Sequence, residues 1–261
     1  MEQRLQTGLS VVEDPYQPST SQPAVEDSRL IKKINSPYQL IEIKHHPAYG
    51  NLLVLDNDLQ IAESDHDYGR AMVAPLTKLN SLQRVMIMGG GDGGVLQELL
   101  KAADSFGWPL MEACMVDIDR EVIQSCQQYL PKLNAGAFND RRAKILVEDV
   151  FKFIKQRQNL DAVIYDLTMT PVRDGQTQSA FIEETLSDIA NALRPGGMLT
   201  MQCCGEGEIG PILGNDNQKL LDEIRIQVDR FFIDRCEQRV AVPSYHEKWT
   251  FLNAKKPGLP S

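Results

Sequence analysis

The chain has 261 residues, 42% hydrophobic and 24% charged, with a formal net charge of −9. That length builds one large domain, or one domain with a small appendage, and buries a full core. The acidity speaks against general nucleic-acid binding and suits a cationic ligand, and no apolar run approaches the roughly 20 residues of a membrane span.

Residues 1–29 read as a flexible tail, because the stretch from Glu13 to Pro23 is rich in Pro, Ser and Gln and has no apolar periodicity. No apolar signal-peptide core heads it. Residues 30–75 read as a small antiparallel β domain: strands over Tyr38–Lys44, Asn51–Leu55 and Leu59–Ala62, turns at Gly50-Asn51 and Asp56–Asp58, then a helical stretch from Asp67 to Leu76 that Pro75 bends. From residue 76 to 261 the pattern is a doubly wound α/β domain. Strands at Arg84–Met88, Ala113–Asp117, Ala143–Val147, Ala162–Tyr165 and Met198–Cys203 alternate with helices at Val95–Ala102, Arg120–Tyr129, Val150–Gln156 and Ser179–Leu193, the last stopped by Arg194-Pro-Gly-Gly197. Arg239–Tyr245 and Lys248–Leu252 close the chain as a β pair, one strand antiparallel to the sheet.

The most informative segment is the Gly-Gly-Gly-Asp-Gly-Gly run at 89–94, which follows a strand and opens a helix. Its spacing Gly89-x-Gly91-x-x-Gly94 fits a nucleotide-binding βα turn. A dinucleotide would set its pyrophosphate there, where amide N–H groups and the helix dipole favour negative charge. Asp92 reverses that preference, repelling phosphate and attracting a cation. The expected ligand is a nucleoside with an ammonium tail, an S-adenosylmethionine relative.

Acids recur at successive strand ends, where open α/β sheets bind ligands. Asp117, in Val116-Asp-Ile-Asp119, stands where carboxylates accept hydrogen bonds from ribose hydroxyls. Asp149 either accepts the adenine amino group, caps the Val150 helix, or does both. Asp166 ends the fourth strand as a candidate general base for a protonated amine. Asp119 and Glu148 have the plainer reading of caps or solvated charges. Five cysteines and four histidines show no metal-ligand spacing, so no metal is expected, and the cysteine usage fits a reducing cytoplasm.

These residues resemble the aminopropyltransferases, the family of spermidine and spermine synthases. The likeness covers about residues 36–252 and rests on Ser36-Pro-Tyr-Gln39, Gly50–Leu55, the glycine run, Asp117-Ile-Asp119 and Asp166. It implies a small β domain joined to a Rossmann-like domain of the adenosylmethionine-transferase type. The implied reaction moves an aminopropyl group from decarboxylated S-adenosylmethionine to a polyamine and releases methylthioadenosine. By the same resemblance, Gln39 and Asp92 would hold the cosubstrate, Asp117 its ribose, and Asp149 with Val150 its adenine, while Asp166 would accept the proton. Gln60 would line the pocket or serve as a structural strand residue.

Within the family, spermidine synthases carry Asp-x-x-Asp after the fourth strand. Here the loop reads Asp166-Leu-Thr-Met169, and a methionine cannot pair with an ammonium. That loop, the segment Ala62-Glu-Ser-Asp65-x-x-Tyr68-x-Arg70 and the segment Val242-Pro-Ser-Tyr245-x-Glu247-x-Trp249 resemble the spermine-forming branch. Tyr68, Tyr245 and Glu247 would then face a spermidine acceptor, with Glu247 on an ammonium and Trp249 in packing. Animal members of that branch carry a long N-terminal dimerisation domain, which the roughly 30 residues before the β domain do not match; a homodimer is the expected assembly. The alternatives are another amine acceptor, such as putrescine or agmatine, an S-adenosylmethionine methyltransferase, a non-enzymatic relative and, last, a nicotinamide oxidoreductase.

Overall fold

A computed structural model describes residues 23–167, 175–206 and 216–258. After a single helical turn, α1 (Pro23–Glu26), four strands form an antiparallel sheet in sequential order: β1 (Arg29–Asn35), β2 (Leu40–His46), β3 (Gly50–Leu55) and β4 (Asp58–Ala62). Asp56 and Asn57, with φ of 48° and 69°, make the two-residue hairpin that joins β3 to β4, the positive φ values that such a turn requires. Strand β1 goes beyond the three strands expected from sequence. It is exposed along nearly all of its length, so no alternation of apolar and polar residues marks it.

The larger sheet has seven strands in the order β10-β11-β9-β8-β5-β6-β7. They are β5 (Arg84–Gly89), β6 (Glu112–Asp117), β7 (Ala143–Val147), β8 (Leu160–Asp166), β9 (Leu193–Gly205), β10 (Ile233–Val242) and β11 (Glu247–Lys255). Strands β5 to β9 pair in parallel, and β11 runs antiparallel to both β9 and β10. From β5 the chain winds outward through β6 and β7, then crosses back to β8 and β9. The switch point therefore lies at the C-terminal ends of β5 and β8, where such sheets bind ligands.

Side chains alternate across the sheet with the two-residue period of a strand. Met86 and Met88 of β5 enter one core with Val163, Leu199 and residues of α6 (Val150–Phe153), α7 (Gln178–Ala192) and α8 (Asp216–Phe231). Val85 and Ile87 enter the other with α2 (His66–Val73) and α3 (Gly94–Phe106). The apolar face of the small sheet (Ile41, Ile43, Leu53, Ile61) packs on Val122 and Cys126 of α4 (Arg120–Tyr129) and on Leu133 of α5 (Pro131–Asn134). This packing fixes the small domain beside the switch point. Helix α8 is absent from the sequence expectations, although Leu220, Leu221, Ile224 and Val228 are spaced for one buried face. Helix α7 stops at Ala192, and β9 begins at Leu193, well before the expected Met198.

The glycine run makes the tightest approach in the fold. Gly89 and Gly90 have φ of +80° and +72°, and a β-carbon on Gly89 would lie 2.2 Å from the carbonyl oxygen of Asp166. Only glycine lets the loop lie this close to the end of β8. The Gly90 N–H donates to that same carbonyl at 3.1 Å.

Candidate active site

Three acids converge at the switch point. Asp166 ends β8 in register with Gly89 of β5. Its Oδ1 accepts the Tyr68 hydroxyl at 2.8 Å. Its Oδ2 is buried and has no hydrogen-bond partner among the described residues. Burial, together with the negative charges of Asp92 and then Asp117, raises its pKa to about 8 against the pull of the Tyr68 hydrogen bond. Asp92 sits in the glycine turn, where its Oδ1 accepts the Gly94 N–H at 2.7 Å at the head of α3. Burial raises its pKa as well. Asp117, at the end of β6, accepts the Gly91 N–H at 3.1 Å and the Asp119 N–H at 2.9 Å; burial outweighs these bonds and carries its pKa to about 6. Such a group of proton-hungry carboxyls is built to receive positive charge or a proton.

Gln39 belongs to the same wall through Asp119. Its side-chain amide donates to Asp119 Oδ2 at 3.0 Å, and Ser36 Oγ donates to the same oxygen at 2.6 Å. Asp119 is 1% exposed and caps α4 by accepting the Glu121 N–H. The cap expected of it is there, but it also ties the link between β1 and β2 to Asp117, to which its own N–H donates, a role that spacing does not reveal. Asp149 caps α6, accepting the N–H groups of Phe151 and Lys152, and pairs with Lys152 at 3.2 Å. Val150 heads that helix with its side chain in the core.

On the opposite wall, Tyr68 packs edge-on against Phe251 and Tyr245, with ring centroids 5.1 and 6.4 Å apart. Burial, with the charge of Asp166 beside it, holds the Tyr68 phenol well above its usual range. Tyr245 donates its hydroxyl to the carbonyl of Gln60 and packs on Trp249 at 5.0 Å. The Gln60 side chain turns to Asp58 at 2.9 Å, so its backbone is what meets Tyr245. Glu247 opens β11 against Gly205 at the end of β9, where a β-carbon would fall 2.3 Å from its carboxylate. Trp249 does more than pack: its indole N–H donates to Gln202 Oε1 at 2.8 Å, and the Gln202 amide donates to the Leu167 carbonyl. This relay anchors the residue after Asp166. Thr168 and Met169 lie outside the described residues.

A family model described as "Spermine/spermidine synthase domain" matches residues 68–258, and one described as "Spermidine synthase tetramerisation domain" matches residues 32–63. A spermidine synthase of Schizosaccharomyces pombe is 37% identical over 179 residues, which cover 66% of this chain and 57% of that protein. A polyamine aminopropyltransferase of Aeropyrum pernix is 31% identical over 234 residues, covering 88% of this chain and 69% of that one. In fold, the chain resembles a crystal structure of a spermidine synthase in complex with the transition state analogue AdoDATO, with a TM-score of 0.74, 24% identity, and coverage of 87% of this chain and 74% of that one.

The raised pKa of Asp166 makes a stability prediction. Its folded pKa of about 8 exceeds the ordinary 3.8. The folded state therefore binds more protons between those values, and stability falls as pH rises through that window. Asp166→Asn removes the penalty while keeping an acceptor for Tyr68. Denaturant unfolding of the ligand-free protein should show the variant gaining over wild type as pH rises from about 5 to about 9. A constant difference across that range counts against the assigned ionisation.

Proposed function

The chain belongs to the spermine/spermidine synthase family, and from that premise we propose that it is an aminopropyltransferase using decarboxylated S-adenosylmethionine. One observation carries the reading: Asp166 presents a buried, unpartnered Oδ2 and a pKa of about 8 beside Asp92. The Asp92 carboxylate suits the aminopropyl ammonium, and Asp117 suits the ribose hydroxyls. Gln39 supports that side through Asp119, and Asp149 with the Val150 backbone would receive the adenine.

The acceptor arrives as an ammonium, with a reference pKa of roughly 10. Asp166 takes one proton from it, leaving a neutral amine. The nitrogen lone pair then attacks the aminopropyl carbon bonded to the sulfonium. The C–N bond forms as the C–S bond breaks, and the sulfur leaves with its electron pair as the neutral thioether, methylthioadenosine. With a pKa of about 8 in the ligand-free protein, Asp166 is mostly protonated at neutral pH; the positive charge of the bound cosubstrate ionises it, so that the carboxylate is ready as the base when the acceptor arrives. Tyr68 holds Asp166 in place through Oδ1, so Oδ2 is the oxygen that accepts the proton.

For the acceptor we favour spermidine, giving spermine, because Met169 stands where a second loop acid would hold putrescine and Glu247 offers a carboxylate farther along the wall. Putrescine is the competing acceptor, favoured by relatives named spermidine synthase. The assembly fits a homodimer or larger homo-oligomer, in keeping with the domain matched at 32–63.

Incubation with decarboxylated S-adenosylmethionine and, separately, putrescine, spermidine or spermine, followed by mass analysis, decides the acceptor. Spermine and methylthioadenosine formed only with spermidine is the expected result; spermidine formed from putrescine refutes the acceptor assignment. In the same assay Asp166→Asn should lower kcat about 100-fold or more, and unchanged turnover refutes the base. Glu247→Gln should raise the KM for spermidine about tenfold while leaving that for the cosubstrate nearly unchanged; an equal rise in both removes Glu247 from the acceptor wall. Because a bound cation lowers the Asp166 pKa, cosubstrate binding near neutral pH should release on the order of one proton. Calorimetry in two buffers of different ionisation enthalpy reads this directly, and proton uptake would contradict it.

A further inference from the structure

The turn that carries Tyr245 is held from outside its own sheet. Pro243–Tyr245 is a single 3-10 turn beyond Val242 and Glu247, the last paired residues of β10 and β11. Its anchor is Asp65, in the link between β4 and α2 and 1% exposed. Asp65 Oδ1 accepts the Ser244 N–H at 3.2 Å, and Oδ2 accepts the Ser244 hydroxyl at 2.5 Å. The Ala62 N–H donates to Oδ2 at 2.8 Å and the Ser64 hydroxyl to Oδ1 at 3.3 Å. With four donors on one buried carboxylate, the group has little freedom to move. Two further tethers reach the turn: the Tyr245 hydroxyl donates to the Gln60 carbonyl, which fixes the ring but not the Ser244 backbone, and Tyr49 Oη meets His246 Nε2 at 3.1 Å in an exposed contact that competes with water.

Asp65 also reaches the chemistry. Its backbone carbonyl accepts the Tyr68 N–H at 3.0 Å, and Tyr68 holds Asp166. One residue thus touches two parts of the acceptor side: its main chain seats the tyrosine that holds Asp166, and its side chain seats the turn that carries Tyr245 and leads into Glu247. We propose that Asp65 and Ser244 form a positioning pair that sets the Tyr245 turn at a fixed distance from Tyr68 and Asp166 and so governs affinity for the amine acceptor. The inference rests on the proposed reading of the cleft as an aminopropyl-transfer site.

Removing the Ser244 hydroxyl leaves Asp65 three donors, including the Ser244 N–H, so the fold has no buried charge left bare. What is lost is the turn's preorganisation, which must then be restored when the acceptor binds. That cost falls on acceptor affinity, because Tyr68 and Asp166 keep their own contacts.

The test uses the full chain in a Trp108→Phe background. Trp108 lies past the C-terminus of α3, away from the cleft, stacked on Phe106 at 5.4 Å. Trp249, in contact with Tyr245, then becomes the only tryptophan of the two in the chain and reports acceptor binding by fluorescence. Ser244→Ala should weaken spermidine binding and raise its KM about tenfold, with kcat and the cosubstrate KM within about twofold. Ser244→Thr, which keeps the hydroxyl, should restore affinity. Asp65→Asn combined with Ser244→Ala should be no weaker than the worse single variant, because the two act as one unit. Unchanged acceptor affinity in Ser244→Ala, loss of kcat without a change in KM, or additive losses in the double variant each overturn the proposal. If Ser244→Ala does not fold, Ser244→Thr and Asp65→Asn carry the same comparison. If wild type binds spermidine without transferring an aminopropyl group, the functional reading fails while the binding comparison still judges the pair. If wild type responds saturably to none of putrescine, spermidine and spermine, the acceptor wall and the pair fall together.

Discussion

The site depends on a repulsion that the fold does not relieve. Asp92, Asp117 and Asp166 share the C-terminal end of one sheet, and each is held above the usual carboxylate range by burial. For Asp166 the rise from 3.8 to about 8 makes ionisation in the ligand-free protein costlier by roughly 6 kcal/mol. Among the described residues, no lysine or arginine is among the causes of these shifts, whereas the surface acids Asp140 and Asp104 are drawn down by Arg142. A fold selected only for stability would pair such groups or replace them. A cationic ligand, as proposed above, would supply positive charge at the switch point and account for their persistence there.

Glycine makes this crowding geometrically possible. A β-carbon on Gly91 would stand 2.7 Å from Asp117 Oδ2, and one on Gly90 would stand 3.0 Å from Asp166 Oδ2. The loop thus presses its backbone against two of the acids while its own Asp92 turns back to the Gly94 N–H. In a phosphate-binding turn the same amides would face the ligand. Here Gly91 and Gly94 spend their N–H groups on the carboxylates of Asp117 and Asp92, so the turn that resembles an anion site in sequence has two of its amides already taken in structure.

Much of this was legible because it is local. A strand running into glycines and a single acid is a feature of consecutive residues, and the doubly wound order follows from alternating periodicities. The Asp149 cap could be read from one side chain and the helix behind it. Other parts depend on contacts between distant positions. The Tyr68–Asp166 bond spans 98 residues and the Asp65–Ser244 bond 179, and no spacing rule connects them. Gln202 looks like one more residue of a buried strand until Trp249 and Leu167 are placed on either side of it. Strand β1 was hidden for the opposite reason: exposed on nearly every residue, it owes its conformation to pairing with β2 alone.

Under the proposed reading, the cosubstrate and acceptor sides of the site have different origins in the chain. The cosubstrate side comes from the strand ends and glycine turn of the parallel sheet, whose spacing is fixed by close backbone approach. The acceptor side comes from a terminal hairpin and from the link between the domains, joined through Asp65, Tyr245 and the Gln202 relay. The two sides nevertheless meet at α2, where a β-carbon on Gly69 would lie 3.2 Å from the Gly94 carbonyl at the head of α3 and Met72 and Val73 share a core with Val95 and Leu96. Asp166 is the one residue both sides use, lying between the glycine turn and Tyr68. In the proposed reading, a shift of the hairpin reaches Asp166 through Tyr68 and reaches the glycine turn through α2, so acceptor choice and cosubstrate geometry are coupled through the same helix.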